Sequence, residues 1–250
     1  MNPGTATSAS AVHRRTLRVL AAAQILGGVG VASGAAVGAL LAADLSSDAF
    51  SGVASAASVI GAALIALPVS RLMALHGRRP GLLLAYAIGI VGALLVVLGA
   101  SLHLFPLALP GLVLAGGGTT ATLQSRYAAT DLASPERRGR SLATVVWATT
   151  VGSVLGPNLA EPTGDVAAAL GIPRLAGPYL LTVAVFLASG MLIATLLRPD
   201  PLLVGRAIED GRRDGPATPQ PRPSMRQALA RIASLPPALL GLAAVVLGHA

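Results

Sequence analysis

Long uncharged runs alternate with short basic clusters along this chain. Val19–Ala43 is 25 residues without Asp, Glu, Lys or Arg, and from Pro80 to Ser125 the only group that can carry charge is His103. A bilayer-crossing helix needs about 20 consecutive apolar residues. The pattern predicts six such spans, at about 19–43, 49–69, 81–102, 105–125, 141–160 and 177–197, and the start of a seventh over 235–250. All are read as helices, because an open strand strands its backbone groups in lipid. No period-two alternation supports a transmembrane barrel. The first run exceeds the roughly 7–15 apolar residues of a signal peptide, so it reads as a retained span. Residues 1–18 read as a cytoplasmic tail, with the small polar stretch 1–13 disordered. Residues 198–234 read as a cytoplasmic central linker. Within it, PATPQPRP (216–223) is expected to be extended. Ser224 is expected to cap a short amphipathic helix, MRQALARIA, on the membrane surface. The apolar run still open at Ala250 is read as the mark of a longer protein, of which this is the N-terminal part.

The basic clusters give the spans an orientation. All eighteen basic residues are arginine, and seventeen fall before the first span, between spans two and three, between four and five, or after six. Only Arg174 lies in an alternate connection, and those connections carry Asp44, Asp48, His103, Glu161 and Asp165. This is the positive-inside bias. It predicts a multi-pass protein of the plasma (inner) membrane with a cytoplasmic N-terminus. It also explains why Arg78 and Arg79 stand together, since they pin the cytoplasmic end of the third span.

Composition agrees. The chain is 54% hydrophobic and 11% charged with a mean hydropathy of +0.73, so it cannot cover itself with polar surface. A net charge of +8 raises nucleic-acid binding. The arginines form no continuous face with interleaved aromatics, however, and nucleic acid is set aside as a partner. Cysteine is absent, which removes disulfides and thiol chemistry from this chain. The four histidines, 13, 76, 103 and 249, are scattered, and no acid pair or metal-ligand spacing lies within the spans. No GxxxxGK[ST] loop is present. Neither a metal, a cofactor nor an enzyme activity is expected.

Three stretches carry a family likeness. SRLMALHGRR (70–79) resembles the loop between spans two and three of the major facilitator superfamily, G-x-L-A-D-R-x-G-R-R. Leu72, Gly77, Arg78 and Arg79 match, while Ala74 stands where the family has its Asp. VGSVLGPNLA (151–160) resembles the fifth-span motif of the family's antiporters, G-x8-G-x3-G-P-x2-G-G. Gly152, Gly156 and Pro157 match; Ala143, Ala160 and Glu161 replace glycines. RYAATDLASPERRGR (126–140) is similar to the family's loop between spans four and five, with Arg126 and Asp131 spaced to pair. The resemblance implies an all-α membrane protein, the six-helix N-terminal bundle of a twelve-helix transporter. It implies alternating access between two halves, with Gly77, Arg78, Arg79, Arg126, Asp131, Gly152, Gly156 and Pro157 as gating and hinge positions. The lipid bilayer, a small-molecule substrate, protons and the C-terminal half of the same protein are the partners it implies, and proton-coupled efflux is the activity.

Polar residues at membrane depth point to a substrate cavity. These are Gln24 in the first span, Thr119 and Thr120 in the fourth, and Trp147, Thr150 and Asn158 in the fifth. Gln124 lies closer to the cytoplasmic end. His249 falls near the midplane of the seventh span, where an imidazole titrates near physiological pH and is the candidate proton carrier. Gly30, Gly34 and Gly38 form one smooth face on the first span, read first as packing and second as lining the central path. Two other classes stay open, an integral membrane enzyme and a non-transporting receptor or scaffold with the same helical layout.

Overall fold

The computed structural model describes residues 3–46, 51–211 and 234–235. It is all α-helix apart from short turns. The elements are α1 (Pro3–Leu45), α2 (Ser51–His76), α3 (Arg78–Ser101), α4 (Phe105–Ala128), α5 (Arg138–Asn158), α6 (Ala160–Ala169), α7 (Gly177–Leu196) and α8 (Pro201–Asp210). Among the described residues five helices are long and apolar enough to cross a membrane, or six if the bent pair α5–α6 is one span. The chain divides into a unit Met1–Glu209, which holds the bundle, and a unit Asp210–Ala250, almost all of which lies outside the described residues. The expected surface helix after Ser224, the extended linker around Pro219, the seventh span and His249 therefore lie outside them.

Several boundaries differ from the sequence expectation. α1 begins at Pro3, so the residues expected to be a disordered tail continue the first span as helix. Alanine is the best helix former, and one recurs every few residues there. α2 runs on to His76 and α3 starts at Arg78, so the connection between them is one residue, Gly77. Its backbone has φ 97° and ψ 176°, a region open to glycine alone. Residues 161–169, expected as an outer connection, belong with Ala160 to α6, which leaves α5 at 49°. The break comes at Leu159, two residues beyond Pro157, whose ring denies the preceding turn a hydrogen bond. Residues 201–210, expected to be linker, form α8.

The helices pack as two interlocked sets. α1 lies against α5 and α7, while α4 lies against α2 and α3, and α3 also meets α7. One half of the core gathers Leu20, Met73, Leu82, Tyr86 and Phe186; the other gathers Val37, Leu41, Val96, Leu112 and Tyr179. The Tyr86 and Phe186 rings meet edge to face at 5.4 Å. In lipid no hydrophobic effect draws helices together, so close backbone approach and interhelical hydrogen bonds must do it. Both are present. Gly92 and Gly99 of α3 meet the backbone of α4, and Gly61 of α2 meets Val113. Thr182 donates to Gly30 O at 2.9 Å, and Ser189 donates to Ala23 O at 3.2 Å, joining α7 to α1.

Candidate functional site

The bundle carries two features with candidate chemistry, a cleft between α1, α2 and α4 and a charged knot at the Gly77 corner.

The cleft has a volume of about 470 Å³ and opens between α1, α2 and α4, with Tyr179 of α7 at its back. Small residues make the space: Gly34, Ala35, Gly38 and Ala39 on α1, and Ala62, Ala63 and Ala66 on α2. Its polar side chains are Ser55, Ser58, Thr119 and Tyr179, and none of its lining residues is charged. Ser58 donates to Leu112 O at 3.3 Å and Tyr179 to Gly34 O at 3.1 Å, so these two hydroxyls are tied into the wall.

The polar residues singled out in the sequence divide into three groups. Thr119 lines the cleft. Gln24 and Thr120 instead hold helices together. Gln24 is fully buried, and its amide donates to Thr122 O and Thr149 Oγ1, both at 3.1 Å. Both partners are acceptors there, because Thr149 gives its own proton to Val145 O. Thr120 donates to Ala62 O at 2.8 Å. Trp147, Thr150 and Asn158 lie on an exposed face of α5, with Trp147 67% exposed. Thr150 and Asn158 bond back to the carbonyls of Val146 and Val154. They share this helix face with one another, but not the cleft.

The fifth-span motif faces the other way. Gly152 and Gly156 are buried against α1, with Gly152 on the backbone of Ile25, Gly28 and Val29. A Cβ on Gly156 would stand 2.7 Å from Val29 O, and one on Gly28 would stand 2.8 Å from Thr149 O. The Ser33 hydroxyl sits at the seam between two acceptors, Val29 O of its own helix at 2.7 Å and Gly156 O at 3.1 Å. Gly28 is a residue that sequence reasoning missed, although the doublet Gly27-Gly28 was its signal. Gly30, Gly34 and Gly38 face Phe186 and Tyr179 of α7, which agrees with packing; Gly34 and Gly38 also border the cleft.

At the rim, Arg78 and Asp131 form a two-pronged ion pair, Nε to Oδ2 at 2.8 Å and Nη2 to Oδ1 at 3.0 Å. Its side chains are only 17% and 12% exposed. This corrects the pairing expected from sequence, since Asp131 meets Arg78 and not Arg126. α4 ends at Ala128, and the following turn carries Asp131 to the Gly77 corner. The Arg126 Nε is buried with no hydrogen-bond partner among the described residues. Arg79 donates from Nη2 to Ala194 O at 2.6 Å, tying the corner to the end of α7. Among the described residues no group of His, Asp and Glu could hold a metal ion.

The model of the Major Facilitator Superfamily matches residues 19–249. The chain belongs to that superfamily. It is 42% identical over 199 residues to a protein of Bacillus subtilis (strain 168) named as the uncharacterized MFS-type transporter YdeG, an alignment covering 79% of this chain and 46% of that one. It is 37% identical over 203 residues to a second protein of the same organism, named as the uncharacterized MFS-type transporter YddS, covering 81% of this chain and 47% of that one. The chain thus spans about half the length of these relatives. No solved structure gives a significant match.

Proposed function

We propose that this chain forms one half of a secondary active transporter that moves a small organic solute by alternating access. The observation that carries the reading is the uncharged cleft between α1, α2 and α4 in a superfamily bundle. Rocking of such a half against a second one exposes a site between them to each side in turn. The exposed faces of α2 and α5, with Ile60, Leu64 and Leu67 on one and Trp147, Val154 and Leu155 on the other, are the surfaces offered to the second half. Trp147, Thr150 and Asn158 would then enter the central path from the α5 side.

A cleft without charge and with few free polar atoms suits a neutral or weakly amphipathic solute. A charged solute would leave its water shell there and find no countercharge. Proton coupling near neutral pH calls for a carboxylate or an imidazole within the path, and no described residue lining the cleft carries either. Coupling in this reading falls to His249 or to an acid of the second half, and the direction is efflux. The arginine partition supports a cytoplasmic N-terminus in the plasma (inner) membrane, with Arg78 inside and Asp165 outside.

Reconstitution of this chain together with the second half in proteoliposomes tests the reading. The expected result is uptake or efflux of neutral solutes from a mixed panel, driven uphill by an imposed pH gradient. No carrier-dependent flux of any solute, with or without the gradient, would overturn it.

A further inference from the structure

α3 begins with a difficulty. The first N–H groups of a helix have no partner within it, and a side chain at the N-cap usually supplies one. The N-cap of α3 is Gly77, which has no side chain and makes no capping bond. The partner comes instead from 121 residues away. The Arg79 N–H donates to Asp200 Oδ2 at 2.7 Å.

Asp200 has a second task. Its other oxygen, Oδ1, accepts the N–H groups of Leu202 at 3.0 Å and Leu203 at 3.4 Å, in the first turn of α8. One carboxylate therefore caps two helices, one with each oxygen. Both helix starts carry partial positive charge, so the negative group sits between two positive ends. Gly77 leaves room for it, since a Cβ there would stand 2.6 Å from the Asp200 carboxyl carbon. Sequence likeness had left this corner without its usual acid, with Ala74 in the Asp position. The acid on the corner arrives from beyond the sixth span.

α8 also reaches the partner of Arg78. A Cβ on Gly205 would lie 3.4 Å from Asp131 O and 3.7 Å from Leu132 Cδ2. The corner, the ion pair and α8 thus form one knot.

We infer that Asp200 is a positioning residue of the cytoplasmic gate, joining the segment after α7 to the Gly77 corner so that α8 cannot leave the rim without uncapping α3. Movement of that segment is thereby passed to the corner that presents Arg78 to Asp131. The gating role rests on the transport reading above; the shared cap does not.

The test uses the full chain in proteoliposomes, with hydrogen exchange read at residues 78–82 and 202–206. A carboxamide has one acceptor oxygen, so Asp200→Asn is expected to keep one helix start protected and to raise exchange at the other about fivefold, the loss of one cap. Asp200→Ala is expected to raise exchange at both. In a second readout, Leu132→Cys in this cysteine-free chain is labelled with a maleimide from the cytoplasmic side. Labelling is expected to speed up several-fold in the Asp200→Ala background. If Asp200→Asn leaves both helix starts as protected as in the unaltered chain, the shared cap is wrong. That arm decides alone if Asp200→Ala does not fold. If exchange changes as expected and Leu132→Cys labelling does not, Asp200 is a local cap without influence on the gate. Flux measurements enter neither arm, so a failed transport reading stays distinguishable from a failed cap.

Discussion

Where α1 meets α5, within the apolar spans, the contact is made almost without side chains. Gly28, Gly152 and Gly156 let two backbones touch, and Ser33 adds a single hydroxyl bond. At the Gly77 corner the contact is made by charge. Arg78, Arg79, Asp131 and Asp200 hold a one-residue corner through ion pairing and capping bonds. The two regions solve the same task under different solvents. In hydrocarbon a buried charge is expensive, so closeness of fit does the work. At the rim water and headgroups lower the cost of charge, and the ion pair can give direction as well as attraction. The seam therefore leaves no room for added volume at Gly152 and Gly156, while the Arg78–Asp131 contact at the rim depends on charge.

The largest effect should come from adding volume to the seam. Gly156→Leu would drive a side chain into Val29 O and Ala32, whose positions lie 2.7 and 2.8 Å from the new Cβ. We expect loss of transport, with thermal stability lowered by more than about 3 kcal/mol, the scale of severe overpacking. The control is Gly139→Ala, at the start of the same helix with nothing within 4 Å. It should be neutral or stabilising by about 0.5 kcal/mol. Equal stability for the two variants in a detergent melt would erase the proposed seam.

The rim should respond to charge in a smaller step. Asp131→Asn keeps the shape and removes the ion pair, at a cost of about 1–3 kcal/mol for a largely buried, two-pronged contact. Exchanging the charges, Arg78→Asp with Asp131→Arg, should recover part of it. Stability unchanged in Asp131→Asn would show that the corner is held by fit, as the seam is.

The smallest effect concerns pH. His13, in the N-terminal part of α1, shares a hydrogen bond with Ser141 at 3.1 Å. Burial, and then the nearby Arg137, hold its pKa below 6.5. The folded chain thus binds fewer protons there than the unfolded chain. Its stabilising share is present above pH 6.5 and is lost as pH falls through the lowered value. His13→Asn should flatten that part of the melting profile without touching the seam. A profile identical in both chains would remove His13 from the account.

The spans were legible because charge is costly in lipid, so they appear as uncharged runs, with the third and fourth sharing the one from Pro80 to Ser125. What faces what was less legible. The period of α5 places Trp147, Thr150 and Asn158 on one side and Gly152 and Gly156 on the other, but it does not say which side meets α1. α6 was hidden because Glu161, Pro162 and Gly164 read as loop residues, and only packing against α7 shows the helix. The spacing of Arg126 and Asp131 suggested a pair, yet spacing within one loop cannot reveal a competitor from another. Asp200 was invisible for the same reason, since its partner Arg79 is 121 residues away. Tyr179 gave a signal that went unused, a hydroxyl in an apolar span that needs a partner.

The central claim is that the cleft opens to both sides of the membrane in turn while the seam beside it stays shut. Single cysteine substitutions at three positions test it, because the chain has no cysteine of its own. Thr119→Cys lies in the cleft, Gln24→Cys in the buried contact of α1 with α4 and α5, and Asn158→Cys on the open face of α5. A membrane-impermeant maleimide is applied to right-side-out and to inside-out vesicles holding the full chain. The account predicts that the Thr119→Cys variant is labelled from both sides and that the Gln24→Cys variant is labelled from neither. The Asn158→Cys variant is predicted to react from the outer side. Labelling of the Thr119→Cys variant from one side only, under every solute and pH condition, would contradict it.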